Sequence, residues 1–297
     1  MAALSPARQD ALVRAMPVVF VLIWSTGFIV ARYGMPHAPP MKFLAMRYLL
    51  SAACFAVWAV AARPAWPVGA SQLRHLAVTG LLMHAGYLGG VWAAVKLGMG
   101  AGLVALLVGL QPVLTALWLS AHGGRVGLRQ WQGLALGFGG LALVVWQKLG
   151  LGEIHGANLL LAGGALLSIT VGTLYQKRFV TSCDVRTASL VQLAAAFAAT
   201  VPLALLEAEP MRWGPELAGA MAWSVLALTL GGSSLLYLLI QRGAATAVTS
   251  LFYLVPPCTA VTAWLLFDEP ITAMTVAGMV LAAFGVSLVV RGTPPEK

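Results

Sequence analysis

Ten long apolar runs restrict the fold of this 297-residue chain more than any other feature. They cover residues 17–34, 41–61, 73–95, 101–121, 129–147, 156–176, 186–206, 217–241, 246–267 and 271–290. At a rise of about 1.5 Å per residue, a helix of this length crosses a hydrocarbon core of about 30 Å. Barrel strands would alternate apolar and polar residues over about ten positions. The runs therefore predict an all-α integral membrane protein with ten transmembrane helices.

Composition agrees with this class. Apolar residues make up 60% of the chain and charged residues 9%, with a mean hydropathy of +0.88. An ordinary soluble domain is about one quarter charged, so this composition excludes one. The segments between the runs are too short to hold a separate soluble domain.

The chain repeats itself at an interval of 145 residues. At this interval Gly98, Pro112, Gly133, Gly140 and Leu143 align with Gly243, Pro257, Gly278, Gly285 and Leu288, and Arg32 aligns with Lys177. Each copy contains five runs, an odd number, so the second copy must enter the membrane in the opposite orientation. We therefore predict two inverted five-helix repeats, residues 1–149 and 150–297, and inverted repeats favour a transporter with its site at their interface.

The net charge of +9 is distributed as in a membrane protein whose two termini are cytoplasmic. The inside segments then carry Arg8, Arg14, Arg63, Arg74, Arg125, Arg129, Lys177, Arg178, Arg186, Arg242, Arg291 and Lys297. The outside segments carry Arg32, Lys42, Lys96, Lys148 and Arg212. This asymmetry follows the positive-inside rule, so the charge indicates topology among membrane lipids and no nucleic-acid partner. The sequence leaves the oligomeric state open.

Ionisable groups within the runs are few. The nine acidic residues all lie in loops or at run ends, which favours facilitated transport or exchange over a carboxylate proton relay. The three cysteines, Cys54, Cys183 and Cys258, form no CxxC pair, and we predict no metal, no cofactor and no catalytic residue. Arg47 lies about two turns into the second run. We favour an interpretation in which it snorkels to the interface or bonds to a carbonyl, rather than attracting a carboxylate substrate.

Polar and aromatic side chains gather near the middle of six runs, and we predict that they line a central cavity. The candidates are Trp24, His84, Tyr87, Gln111, Ser168, Ser233, Tyr237 and Tyr253. Hydrogen bonding between helices is the alternative and accounts for some of them. For His84 the functional reading is a substrate contact or proton acceptor. We favour a neutral structural histidine, because no charged partner accompanies it in the sequence.

Prolines and small residues mark two further features. Pro112 and Pro257 occupy matched positions inside the fourth and ninth runs, and Pro256 precedes the latter. A proline inside a helix kinks it, so the three are candidate hinges, with a static bend as the alternative. The matched pairs Gly133 with Gly137 and Gly278 with Ala282 indicate close helix packing rather than a ligand role.

Several segments together resemble a bacterial drug/metabolite transporter built from two EamA domains. The first half has Leu22–Phe28, Met46–Leu50 and Gly102–Pro112, and the second half has Gly243–Pro257, Phe267–Pro270 and Gly278. The resemblance covers nearly the whole chain and includes the Glu269-Pro270 step that is characteristic of the family. The first half departs from it with Gly124-Arg125 at the matching position, so the step is not a symmetric catalytic element.

The resemblance implies ten helices in an inverted five-plus-five arrangement, with a cavity open alternately to each side of the bacterial inner membrane. It also implies export of small metabolites, and within the family the chain is similar to exporters of aromatic amino acids and methyl viologen. The first-span glutamate that smaller multidrug relatives use for proton coupling is missing. The resemblance therefore leaves the energy source open.

The leading functional hypothesis is a secondary exporter of amino acids, aromatic and other neutral ones, or of similar small metabolites. A zwitterion demands little net charge from its site, in agreement with the absence of mid-run acids. The alternatives are export of other metabolites or organic-cation drugs, and a channel. An intramembrane enzyme has less support, because Gly231–Ser234 lacks a histidine–aspartate partnership, and we predict that the chain is not an enzyme.

Overall fold

The computed structural model describes residues 6–67, 69–121, 127–150, 153–232, 235 and 254–291, and that part of the chain contains helices and no strands. The first-half helices are α1 (Pro6–Gly34), α2 (Pro40–Ala62), α3 (Ala70–Gly80), π1 (Leu81–Gly86), α4 (Tyr87–Lys96), α5 (Ala101–Val108), α6 (Gln111–Ala121) and α7 (Leu128–Gly150). The second-half helices are α8 (Gly156–Phe179), α9 (Val185–Leu206), α10 (Pro215–Trp223), π2 (Ser224–Gly232), α11 (Val255–Phe267) and α12 (Ala273–Arg291).

Six helical stretches within the described residues are long and apolar enough to cross a membrane. They are Met16–Gly34, Pro40–Ala62, Ala70–Lys96, Ala101–Trp118, Gly156–Phe179 and Val185–Leu206. The third is one rod composed of α3, π1 and α4. Large apolar side chains on these helices point outward, for example Leu160 and Leu206, which are 78% and 81% exposed. Such a surface suits lipid, and the prediction of an all-α membrane protein is confirmed.

Carboxylate side chains cap the starts of α2 and α9. The Glu207 carboxylate accepts hydrogen bonds from the backbone N–H groups of Met41 and Lys42, at 2.9 and 2.8 Å, in the first turn of α2. Asp184 caps α9, and a hydrogen bond from the Arg186 side chain lowers the pKa of its carboxyl. A carboxylate at a helix N-terminus satisfies free N–H groups and interacts favourably with the helix dipole.

Backbone-to-backbone contact joins α7 to α12. A methyl group added at Gly278 would come within 2.6 Å of the Gly140 carbonyl oxygen. One added at Gly285 would come within 2.5 Å of the Gly133 carbonyl oxygen. The contact residue later in α7 meets the one earlier in α12, so these two helices run antiparallel. The predicted packing role of these small residues is confirmed.

The other contacts between the halves also come in pairs. α2 packs on α9, and α5 packs on α11. The contact of α4 with α8 has its counterpart in the contacts of α1 with α10 and π2. Likewise α8 contacts α5 and α6, while α11 contacts α1. The two halves therefore share one continuous buried core rather than forming separate bodies.

Candidate site at the two π-helical segments

Two helices widen into π-helical turns at matched positions of the repeat. π1 spans Leu81–Gly86 and π2 spans Ser224–Gly232, and a shift by the 145-residue interval places π1 on residues 226–231, inside π2. A π turn disrupts the regular backbone ladder and is frequent at functional sites. In π1 the Leu82 carbonyl accepts a hydrogen bond from the Ser168 hydroxyl at 2.8 Å. The His84 carbonyl accepts one from the Tyr48 hydroxyl at 2.9 Å.

Arg47 of α2 faces π2. It is 7% exposed, and its Nε and Nη2 groups donate to the Thr229 hydroxyl oxygen at 3.3 and 3.2 Å. The Thr229 hydroxyl in turn donates to the Ser224 carbonyl at 2.9 Å. The guanidinium carbon lies 6.0 Å from the centre of the Trp92 ring, within cation–π range. The predicted snorkelling of Arg47 is wrong, because packing of α2 against π2 encloses the side chain and supplies a hydroxyl acceptor.

The repeat places an equivalent contact at π1. Gln192 of α9 has the position in the second half that Arg47 has in the first, and Thr229 likewise corresponds to His84. The Gln192 side chain lies beside the half-buried His84 imidazole, whose ring meets that of Tyr48 edge-on at 6.1 Å. Thus each π segment carries a polar residue that contacts a polar residue of the opposite half.

Three more of the predicted cavity residues lie beside these segments. Tyr87 begins α4 directly after π1 and is 7% exposed. Trp24 packs over the end of π2, within 3.6 Å of the position that a side chain at Gly232 would take. Ser168 contacts π1 through Leu82. The structure therefore brings Trp24, His84, Tyr87 and Ser168 to the two π segments.

Gln111 makes a different contact. Its amide nitrogen donates to the Thr173 hydroxyl at 2.8 Å and so joins α6 to α8. This is the helix-to-helix hydrogen bond that the alternative interpretation describes. Ser233, Tyr237 and Tyr253 lie outside the residues that the structure describes.

The candidate hinge prolines lie at helix starts. Pro112 is the second residue of α6, after a break at Gly109 and Leu110 that divides the fourth predicted span. Pro256 and Pro257 lie in the first turn of α11. A side chain at Gly109 would come within 3.0 Å of the Pro256 ring, so the break contacts α11. Pro112 therefore starts a helix instead of kinking a continuous one, because a first-turn proline gives up no helical hydrogen bond.

Charged side chains join the two halves at one end of the bundle. We call this the ion-paired end, and it comprises Arg32, Lys96, Lys148, Glu153, Glu207, Glu209 and Glu269. Lys148 pairs with Glu153 at 2.6 Å, and Lys96 pairs with Glu209 at 2.8 Å. The hydrogen bond from Lys96 lowers the pKa of the Glu209 carboxyl.

The Glu-Pro step belongs to this end. Asp268 ends α11 in a left-handed conformation with φ of 53°. The next residue, Glu269, accepts a hydrogen bond from the Ala101 N–H at 3.0 Å at the start of α5, and it lies 3.9 Å from the Arg32 Nε. The step thus ties the loop after α11 to two first-half helices.

Comparison with known sequences identifies the protein's family. The EamA-like transporter family matches this chain twice, over residues 15–146 and 156–291. The chain belongs to this family. It is therefore a multi-pass membrane transporter and not an enzyme.

Relatives of this EamA transporter align over nearly their whole length. The "Probable amino-acid metabolite efflux pump" of Salmonella typhimurium (strain LT2) is 26% identical over 93% of this chain and 94% of its own. The "Probable amino-acid metabolite efflux pump" of Escherichia coli (strain K12) is 24% identical over 93% and 94%. The "Uncharacterized transporter YvbV" of Bacillus subtilis (strain 168) is 25% identical over 93% and 91%.

A solved crystal structure shares the fold. It superposes on this EamA transporter with a TM-score of 0.61 at 19% sequence identity, covering 92% of this chain and 94% of the other. At this level of identity the likeness supports a common fold and carries no information on substrate.

Sequence reasoning missed two polar residues of the site in this EamA transporter. The sequence favours snorkelling or a carbonyl bond for Arg47, and it does not single out Thr229. A signal is present, because Arg47 aligns with Gln192 and His84 aligns with Thr229 at the repeat interval. Comparing polar residues at that interval would select these four residues, and only the fold shows which of them meet.

Proposed function

We propose that this EamA transporter exports amino acids, aromatic and other neutral ones, or similar small metabolites, by alternating access through a central cavity. One observation carries the proposal: polar side chains of both halves meet at the two π segments, in a chain whose family transports solutes. Sites at the interface of two repeats suit alternating access, since rocking of one half against the other exposes them to each side in turn.

The architecture that we propose is ten transmembrane helices in two inverted five-helix repeats, residues 1–149 and 150–297. The antiparallel contacts of α7 with α12 support it, because Gly133 meets Gly285 while Gly140 meets Gly278. This reciprocal pattern is what a two-fold axis between the repeats produces. The paired helix contacts elsewhere in the molecule support the same axis.

The substrate site that we propose includes all the predicted cavity residues, which are Trp24, His84, Tyr87, Gln111, Ser168, Ser233, Tyr237 and Tyr253. The aromatic rings would contact the substrate side chain, and the hydroxyl, amide and imidazole groups would contact its polar ends. The described acidic residues lie at helix ends or in loops, which agrees with a zwitterionic substrate, since a zwitterion demands little net charge from its site. The names of the Salmonella and Escherichia coli relatives support the same substrate class.

The distribution of basic residues supports a bacterial inner-membrane orientation with both termini cytoplasmic. In that orientation the ion-paired end faces outward. Its contacts join the halves, as in Lys96 with Glu209 and Arg32 with Glu269, so opening to the outside requires them to separate. Pro112, Pro256 and Pro257 adjoin the break at Gly109, where the hinge of this motion would lie.

Counterflow in proteoliposomes tests the proposed function. Vesicles that contain the purified chain are loaded with unlabelled phenylalanine, and entry of labelled phenylalanine, tryptophan, threonine or methionine is followed with and without a proton gradient. We expect saturable counterflow that does not require the gradient. Conductance of single-channel magnitude would contradict a carrier, and competition by methyl viologen but by no amino acid would replace the substrate class.

A further inference from the structure

The charge of Arg47 has no carboxylate partner in the part of the chain that the structure describes. The ion pairs there all join other residues, at helix ends or in loops. The Nε and Nη2 groups of Arg47 both donate to one oxygen, that of the Thr229 hydroxyl. Its Nη1 group makes no hydrogen bond to a described residue. A buried cation without a counter-charge is costly in a membrane, and such residues mark functional sites.

Hydroxyl groups without a hydrogen-bond partner among the described residues lie on α2 and π2, the two helices that meet at Arg47. Ser51, one turn further along the same face of α2, is 0% exposed, and its hydroxyl has no hydrogen-bond partner among the residues that the structure describes. Ser224, at the start of π2, is likewise 0% exposed, and no described residue bonds to its hydroxyl. The Thr229 hydroxyl proton is already given to the Ser224 carbonyl. A cluster of guanidinium N–H and free hydroxyl groups suits a carboxylate, whose two oxygens accept about four hydrogen bonds.

We propose that Arg47, with Thr229 and Ser51, forms the subsite for the carboxylate group of the substrate, an inference that rests on the proposed function. The repeat strengthens it. The equivalent contact in the other half, between Gln192 and His84, carries no arginine. Two positions equivalent by the repeat therefore differ by one positive charge. That difference orients an amphoteric substrate with its carboxylate toward π2 and its remaining polar group toward π1.

Competition with matched ligands tests the carboxylate contact. Counterflow of labelled phenylalanine is measured against phenylalanine, 3-phenylpropionate, which lacks the amino group, and phenethylamine, which lacks the carboxylate. For the unsubstituted chain we expect 3-phenylpropionate to compete and phenethylamine to compete at least about tenfold more weakly, because charge-assisted hydrogen bonds carry recognition.

Substitutions then assign that preference to Arg47. Arg47→Gln is expected to raise the half-saturating phenylalanine concentration by about 30-fold or more and to abolish the preference for 3-phenylpropionate over phenethylamine. Arg47→Lys keeps the positive charge but loses the planar guanidinium that can donate two parallel hydrogen bonds. Its half-saturating phenylalanine concentration should lie between those of the unsubstituted chain and Arg47→Gln.

Ser51→Ala removes a hydroxyl to which no described residue bonds, so the fold should tolerate it while phenylalanine affinity falls severalfold. Arg74→Gln, an exposed change of equal charge on α3, is the matched control and should behave as the unsubstituted chain.

The outcomes separate this inference from the proposed function. If phenylalanine is transported but Arg47→Lys and Ser51→Ala leave the ligand preference and the affinity unchanged, the carboxylate subsite is wrong while amino-acid export stands. A purely structural Arg47 would reduce transport of all ligands equally and keep their ratio. If the unsubstituted chain transports no amino acid and no competitor acts, the proposed function fails, and this assignment fails with it.

Discussion

The ion-paired end and the two π segments hold the same two halves together by different means. At the ion-paired end, basic side chains meet carboxylates, and both partners of the Lys96–Glu209 pair remain partly exposed. At the π segments a single buried guanidinium meets a hydroxyl, and helix backbones nearly touch neighbouring side chains. Water screens partly exposed ion pairs, whereas the contacts at the π segments depend on how closely the side chains and backbones fit together. We therefore expect the end of the bundle to tolerate substitution and the middle not to.

The largest effect should follow Gly86→Ala at the end of π1. The added methyl group would overlap the Ser168 hydroxyl, which is held by its 2.8 Å hydrogen bond to the Leu82 carbonyl. Overpacking of this kind costs about 1–3 kcal/mol of folding stability. Thermal unfolding in detergent micelles measures it.

Gly163→Ala on α8 is the matched control, because no atom lies within 4 Å of the position that its methyl group would take. It should leave stability unchanged or raise it slightly. Ser168→Ala removes the hydroxyl that the new methyl group would overlap. In a protein that carries Ser168→Ala, Gly86→Ala should therefore reduce folding stability much less. Equal effects of Gly86→Ala and Gly163→Ala would show that close packing at π1 does not limit substitution there.

A smaller effect should follow Glu207→Gln at the ion-paired end. The carboxylate accepts the N–H groups of Met41 and Lys42, and the amide retains one acceptor oxygen without the charge. We expect a loss of about 1 kcal/mol, the usual contribution of a helix cap. Glu216→Gln, an exposed carboxylate in the first turn of α10, is the control and should change the unfolding temperature less.

The smallest effect should appear with acid. The Lys96 hydrogen bond lowers the pKa of the Glu209 carboxyl, so the stabilisation is present above the ordinary glutamate pKa. It is lost as the pH falls through the lowered value. At pH 7 the Lys96→Gln protein should be less stable by about 0.5 kcal/mol, the size of an exposed pair, and the difference should shrink as the pH falls from the ordinary glutamate pKa through the lowered one. A difference that persists once Glu209 is protonated would show that Lys96 acts through the Met35 carbonyl, which it also contacts at 2.9 Å, instead of through Glu209.

Six described helices of membrane length correspond to predicted apolar runs, because long apolar runs leave few choices. The run 156–176 corresponds to Gly156–Phe179, and the run 41–61 corresponds to Pro40–Ala62. Composition could not reveal where a run is interrupted. The break at Gly109 and both π segments depend on packing against other helices and on hydroxyl groups such as those of Ser168 and Tyr48.

The site was predicted less well because its contacts join residues far apart in sequence. Arg47 and Thr229 are 182 residues apart, and only the fold shows that α2 packs on π2. Hydropathy alone favoured an interfacial Arg47, since a lone arginine in an apolar run usually reaches for water. Trp24, His84, Tyr87 and Ser168 were easier to select because polar or aromatic groups near the middle of a span need a reason to be there.

The glycine contacts between α7 and α12 have a consequence for how the two copies of the repeat can change over generations. Gly140 and Gly278 confine each other, and the Gly133 backbone confines Gly285, although Gly133 and Gly278 occupy the same place in their respective copies. A larger residue in either copy would push against the backbone of the other. Duplicated segments usually drift apart once each can vary alone, but here neither copy can enlarge its glycines without the other giving way. Substitutions at these glycines in one copy are therefore expected to require compensating changes in the other.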